Sequence, residues 1–378
     1  MIRCSLLVAL TLAVQVAAQD PSPDALTTTT EAATTEVPAT TGTEPVAPTT
    51  SEATPTTPEA PPTTPEAPPT TSEAPPTTET EPPAKARPVN RLVYRSTNVL
   101  RYNPLGLITD NHVSFRHELY RHDNIVLKDN FVGFGFAPQF SPAFARLGAV
   151  AEVQPLSVLR LFANFEVVGY YGFVNLLQSF DSPHADFSDS ALGDLGALPD
   201  GDPGRNFSTW GTQLTFGADL QAKVGPIAAR NLARLVRGSY QLRQGDTAYY
   251  DQFYDVLAPN DGWYLNNDTD VFYVTEFGLA AGARVNTTMP FYEDRHFNDA
   301  DRAAGLAGTN PNGPTLRAGP MVTYTFFDEE GAIWNKPTII FTTQWWLSHR
   351  YRTGADVPQA IPYTVIAFQF TGDLIPWR

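Results

Sequence analysis

Between residues 210 and 224 the chain alternates almost without a break. Trp210, Thr212, Leu214, Phe216, Ala218, Leu220, Ala222 and Val224 fall on one side. Gly211, Gln213, Thr215, Gly217, Asp219, Gln221 and Lys223 fall on the other. A period of two sends successive side chains to opposite faces of a strand. Strands of soluble proteins usually run to about five or six residues. A strand that crosses a bilayer needs about 9–11 residues in the apolar zone, with extensions beyond it. A ribbon this long, greasy on one face and hydrophilic on the other, is hard to place in anything but a large curved sheet.

The same texture recurs. Leu159, Leu161, Ala163, Phe165 and Val167 oppose Arg160, Phe162, Asn164 and Glu166. Similar runs lie at 112–120, 131–137, 147–153, 228–236, 272–276, 278–286, 316–327, 338–350 and 363–370, with a weaker one at 91–100. Together they predict about twelve strands. Tight links are expected at 121–124, 154–156, 225–226 and 276–278, and a somewhat longer one at 328–337. Long polar links are expected at 173–207, 241–262, 289–314 and 351–360. Short and long links alternate, and an even strand number returns both chain ends to the short-link side.

The N-terminal residues differ in kind. Met1, Ile2 and Arg3 precede an apolar run from Leu6 to Val14 and the small residues Val16, Ala17 and Ala18. This is the pattern of a secretory signal peptide over residues 1–18, cut after Ala18. Cys4 falls inside it, so the mature chain is expected to carry no cysteine. Residues 19–88 are rich in Thr, Pro and Glu, with Pro-Glu-Ala-Pro-Pro-Thr-Thr at 58–64 and 65–71 and a Ser variant at 72–78. Such composition buries too little apolar area to offset its ordering entropy and reads as a disordered spacer, periplasmic tether or glycosylated stalk. At about 3.1 Å per residue in polyproline II, it reaches on the order of 200 Å. It also carries eleven of the 40 Asp and Glu residues, counted from Asp20, so the remainder is only mildly acidic. The net charge of −15 argues against a nucleic-acid binder. No apolar run after the leader is long enough for a membrane helix.

From about Val89 to Phe370, within an expected barrel domain of 89–378, the chain resembles bacterial outer-membrane β-barrel proteins as a class. The leader, the missing cysteines, the strand period, the link asymmetry and an aromatic last strand (Phe368, Phe370) carry the resemblance. The tail Leu374-Ile375-Pro376-Trp377-Arg378 departs from barrels that stop on an aromatic. The resemblance implies an all-β, up-and-down antiparallel transmembrane barrel in a Gram-negative outer membrane. Its partners would be membrane lipid and lipopolysaccharide, and the linker would reach toward the cell wall. Tyr170, Tyr171, Trp210, Trp263, Tyr264, Trp345 and Trp346 near strand ends read as interfacial girdles. A soluble secreted β-protein with its apolar face inward remains an alternative.

If the hydrophilic face lines a lumen, Arg116, Glu118, Glu152, Arg160, Glu166, Asp219, Lys223, Arg230, Arg234 and Arg317 face inward. Mixed signs fit a narrow channel for small solutes, and equally a structural barrel plugged by its own side chains. A membrane-embedded hydrolase is a third reading, but Ser348 and His349 are adjacent and point to opposite faces of a strand. No metal, nucleotide or cysteine motif is present, so no catalytic residue and no cofactor is expected. The Asp-rich loop at 180–202 and the Asn266–Asp270 patch could take Ca²⁺ or Mg²⁺. Neither has EF-hand spacing, and both read better as solvated loops.

Overall fold

A computed structural model describes residues 87–354 and 361–377; the leader and most of the Thr/Pro/Glu segment lie outside the described residues. Twelve strands close into an antiparallel barrel. In chain order they are β1 (Asn90–Tyr102), β2 (Gly106–His117), β3 (Phe131–Phe140), β4 (Phe144–Leu156), β5 (Leu159–Tyr171), β7 (Ser208–Val224), β8 (Ile227–Tyr240), β11 (Trp263–Val274), β12 (Leu279–Phe291), β13 (Thr315–Thr325), β14 (Asn335–Ser348) and β15 (Tyr363–Asp373). Three short strands, β6 (Ser179–Phe180), β9 (Ala248–Asp251) and β10 (Val256–Pro259), form a separate sheet. The barrel is closed by β1 on β15, from Val93 opposite Asp373 to Tyr102 opposite Thr364. Closure leaves no unpaired edge, the condition for a sheet in hydrocarbon.

All twelve expected strands are present, and most are longer than the alternation alone predicts. Two expectations need correction. The strand foreseen at 272–276 begins at Trp263, so Asn266–Asp270 is strand and not loop. The tight link foreseen at 121–124 is a broader connection over 118–130. The buried Asn130 organises it: its Oδ1 accepts from Leu119 N and Tyr120 N at 2.9 Å, and its Nδ2 donates to the Tyr120 and Leu127 carbonyls at 2.7 Å.

The links sort by end. One end carries 118–130, 157–158, 225–226, 275–278 and 326–334, along with the start of β1 and the end of β15. We call it the turn end. The other, the loop end, carries 172–207, 241–262, 292–314 and 349–362, plus two short links at 103–105 and 141–143. β15 runs three residues past the expected Phe370. Beyond it Trp377 folds back over Gly331, where φ is +77° and an added Cβ would lie 2.3 Å from the indole.

Orientation follows the sequence pattern. The apolar face points out: Phe216 is 47% exposed, Phe134 58% and Leu147 61%. Opposite positions such as Ser114, Glu152, Gln213, Asp219 and Asp270 are buried. A soluble barrel would reverse this. The outer surface is therefore one that hydrocarbon, not water, stabilises. Outward aromatics mark both ends, with Tyr102, Tyr171, Trp210 and Trp345 at the loop end and Tyr273, Tyr324 and Trp334 at the turn end. Tyr170, Tyr264 and Trp346, expected in the girdle, point inward and are buried. Neighbours along a strand cannot share a face, so each adjacent aromatic pair gives one member to each side.

Candidate functional site: the barrel lumen

Seen from inside, the turn-end half of the wall is a ribbon of ion pairs. Arg230 Nε and Nη2 donate to both oxygens of Asp219 at 2.8 and 2.9 Å. Arg160 donates to Asp219 at 2.9 Å and to Glu152 at 3.4 Å. Arg116 Nε donates to Glu152 at 3.0 Å, and Ser114 Oγ donates to the same carboxylate at 2.7 Å. Arg116 lies on β2 and Glu152 on β4, so the pair spans the intervening strand. Gly133 on β3 makes this possible: a Cβ there would sit 3.0 Å from Glu152 Cγ and from Ser114 Oγ. On the adjoining strands Arg284 of β12 grips Asp270 of β11 at 2.6 and 2.7 Å, and Arg234 of β8 pairs with Asp268 of β11 at 2.9 Å. Arg91 grips Asp373 at 2.8 Å through Nε and Nη2.

The pairs are layered. The side chains of Glu152, Asp219 and Asp270 are 1%, 7% and 3% exposed, against 24%, 21%, 37% and 23% for Arg116, Arg160, Arg230 and Arg284. Carboxylates lie against the wall and guanidiniums face the bore. Nearly balanced charge thus presents a cationic surface to anything inside.

The loop-end half is filled. Links 172–207 and 241–262 fold inward and place Leu176, Leu177, Phe187, Leu192, Tyr249, Tyr250, Leu257 and Ala258 against the inward wall residues Phe144, Val168, Tyr170, Val236, Tyr240 and Tyr264. The small sheet of β10, β9 and β6 lies within this plug. These links were expected to be polar; the run Ala248–Asp251 is completely buried instead. Helix α1 (Asp189–Gly196) belongs to the same body, capped by Ser188 and contributing Leu192.

One arginine ties three loops together. Arg352, in link 349–362, makes an ion pair with Asp255 of link 241–262. It also donates to both oxygens of Asp189 in link 172–207, at 2.7 and 2.8 Å, and to Asn103 Oδ1 at 3.0 Å. Tyr250 OH donates to Asp255 at 2.8 Å. Burial alone would raise the Asp255 pKa, but the positive charge beside it, Arg352 above all once His349 is neutral, and the hydrogen bonds from Arg352 and Tyr250 outweigh burial and hold the group at about 2. Burial also lowers His349, despite the nearby carboxylate. His349 is therefore neutral, with Nε2–H donating to the Asp255 carbonyl at 2.7 Å and Nδ1 accepting from Tyr351 N at 3.1 Å. Its approach to the Asp255 carboxylate is not an ion pair.

The residues singled out in the sequence divide as follows. Arg116, Glu152, Arg160, Asp219 and Arg230 come together in the ribbon. Arg234 continues the same wall on β8, and Glu166 accepts from Gln213 Nε2 at 3.1 Å. Arg317 is buried near the plug, with Nε donating to Gln344 at 3.0 Å and its guanidinium over the Tyr363 ring at 3.9 Å. Glu118 lies just past β2, 3.3 Å from Arg121, and Lys223 is exposed at the turn-end rim. Arg91, Arg95, Arg101, Asp110, Arg146, Asp268, Asp270, Arg284 and Asp373 were not anticipated. Asp268 and Asp270 were misplaced because Asn266–Asp270 reads as a turn from composition; its alternation with Tyr264 and Phe272 was the overlooked signal.

Among the described residues no group of three or more His, Cys, Asp or Glu could hold a metal ion. In the Asp-rich loop, Asp189 serves Arg352 and Asp200 serves Arg205. No Ser–His–Asp chain forms among the described residues: His184 meets Thr309, His296 the Asn260 carbonyl, and His117 Asn90.

The barrel is similar to several solved outer-membrane proteins. One is an outer-membrane channel from Pseudomonas putida F1, at 10% identity over 78% of this chain and 100% of that one, with a TM-score of 0.37. The KdgM porin is 11% identical over 74% and 98% of the two chains, with a TM-score of 0.30. OccAB1 of Acinetobacter baumannii is 8% identical over 76% and 96%, with a TM-score of 0.32. Likeness at this level carries no argument about what the lumen handles. No protein-family model matches the chain, and no curated protein matches its sequence.

Proposed function

We propose that this chain is an outer-membrane barrel that passes small solutes through a narrow lumen gated by its own loops. One observation carries the reading: half of the inner wall is a surface of partly exposed arginines, while the outer wall is largely apolar. A barrel built only for structure has no need of partly exposed guanidiniums, because a packed interior is filled more cheaply by apolar side chains. The turn end, where β1 begins and β15 stops, is then the periplasmic side, and lipid and lipopolysaccharide surround the outer face.

The plug favours a second reading, a structural barrel shut permanently. Apolar contact runs without a break from wall to plug at the loop end, as in a protein core. One experiment separates the two. In planar bilayers the wild-type protein should give rare, discrete conductance steps, and Arg352→Ala should raise their frequency at least tenfold by releasing Asp255 and Asp189. Silent bilayers for both proteins, with folded barrel confirmed on gels, would leave the structural reading.

A further inference from the structure

Arg146 points into the lumen from β4, at the floor of the plug, and is only 5% exposed. Its Nη1 donates to Gln213 Oε1 at 3.3 Å. Its Nε and Nη2 have no hydrogen-bond partner among the described residues. The guanidinium cannot shed its proton to escape this. Phe253 and Phe144 cover it, with ring centroids 4.3 and 5.1 Å from Cζ.

Nε and Nη2 form one edge of a guanidinium, with two parallel N–H bonds that match the oxygens of a planar carboxylate. This barrel uses that edge repeatedly. Arg91 holds Asp373 with it, Arg230 holds Asp219 and Arg284 holds Asp270, all at 2.6–2.9 Å. In Arg146 the same edge meets no carboxylate. The nearest acids are already engaged. Glu166 accepts from Gln213, and Asp251 accepts from Tyr264 OH at 2.7 Å and Phe253 N at 2.8 Å. They offset the charge of Arg146 without bonding to it. The Tyr170 hydroxyl lies within reach of the guanidinium, yet Nε and Nη2 both remain without a hydrogen-bond partner among the described residues.

We propose that the Arg146 edge is a binding site for the carboxylate of a small organic acid reaching it from the turn end. This names the solute class of the channel and rests on that reading. The arginine surface below it supplies the approach: guanidiniums of Arg116, Arg160 and Arg230 face the bore over buried carboxylates, so an anion meets positive charge before it meets Arg146. Phe144 and Phe253 crowd the same side of the guanidinium, with their centroids 5.4 Å apart, and a carboxylate docks edge to edge with the Nε–Nη2 fork. The fork favours a planar carboxylate over a neutral amide of the same shape.

The test uses the full-length protein in detergent, with benzoate as probe, benzamide as neutral match and sodium chloride at equal ionic strength as reference. Calorimetry should show saturable benzoate binding with a Kd at or below about 1 mM. Benzamide should bind at least tenfold more weakly. Arg146→Gln should lose benzoate binding at least tenfold, and Arg146→Lys, which keeps the charge and loses the fork, should lose most of it. Equal binding by wild type and Arg146→Gln, or no binding by wild type, overturns the proposal. If the variants fail to fold, wild type alone decides. Benzoate should raise the temperature at which the barrel loses its compact gel mobility, and benzamide should not; equal shifts or none overturn the proposal. Benzoate binding without conductance would leave this site standing and remove the channel, whereas conductance without benzoate binding would do the reverse.

Discussion

The same strands make two different interiors. On β5 the inward positions run from Arg160 at the turn end, through Asn164 and Glu166 near the middle, to Val168 and Tyr170 at the loop end. β8 runs from Arg230 and Arg234 to Val236 and Tyr240, and β11 from Asp270 and Asp268 to Tyr264. Each strand therefore switches inner-face chemistry partway along its length, while the outer face of β5 stays apolar throughout and those of β8 and β11 carry one polar cluster of Asn231, Asn267 and Thr269. The lower half is held by ion pairs whose guanidiniums keep some water. The upper half is held by dry packing, with one buried charge cluster around Arg352 set within it. Similar charges should then weigh differently in the two halves, because water compensates a broken pair below and cannot do so above.

The strongest test of that contrast is Arg352→Met. It strands Asp255 without its main partner in a dry site and should cost about 3–5 kcal/mol locally. Hydrogen exchange at the Ala248–Pro259 amides should accelerate, while the turn-end halves of β5 and β8 stay protected. Next comes the outer wall. Phe134→Arg places a charge on the apolar face of β3 and should cost about 2–4 kcal/mol in a bilayer, read by urea unfolding in lipid vesicles. A cost near zero would mean that this face does not meet hydrocarbon.

Acid gives a third, smaller effect. The folded pKa of Asp255 is about 2, below the unfolded value. Its contribution is therefore complete above about pH 4 and fades as pH falls toward 2, on the order of 2 kcal/mol in all. Plug protection factors, which remove the intrinsic pH dependence of amide exchange, should stay flat from neutral pH down to about 4 and fall below it. A fall already at pH 6 would point to His349 instead, whose lowered pKa makes protonation unfavourable in the fold. The smallest stability change is expected for Glu152→Gln in the ribbon. Arg116 and Arg160 are partly exposed, so the loss should be about 1–2 kcal/mol. Its larger signature is a shift of reversal potential toward anions, and a shift toward cations would contradict the layering.

How much of this was legible in the sequence follows from which forces act locally. Period two is imposed by the pleat itself, so Trp210–Val224 declared its strand and its two faces, but alternation alone did not say which face points outward. The apolar side could be assigned to the exterior because the opposite face held Asp219, Gln213 and two glycines, a poor filling for a dry core. The plug was not legible. Leu176, Leu177 and Tyr249 sit in segments without periodicity, and what makes them core is the wall they meet, far away in sequence. The clue was composition: Ala248–Asp251 and Val256–Pro259 are too aromatic and apolar for an exposed loop. Arg146 escaped for a different reason. Alternation places it on the inner face, but a guanidinium without a partner is defined by what surrounds it in space.

β3 lends the bore almost no side-chain volume where the ribbon passes, since Gly133 and Gly135 face inward between β2 and β4. The aperture at that level is therefore a matter of one residue's bulk. Replacing Gly133 with a larger neutral residue would trim the cross-section while displacing the Glu152 contact, so calibre and charge preference are mechanically geared together at this strand.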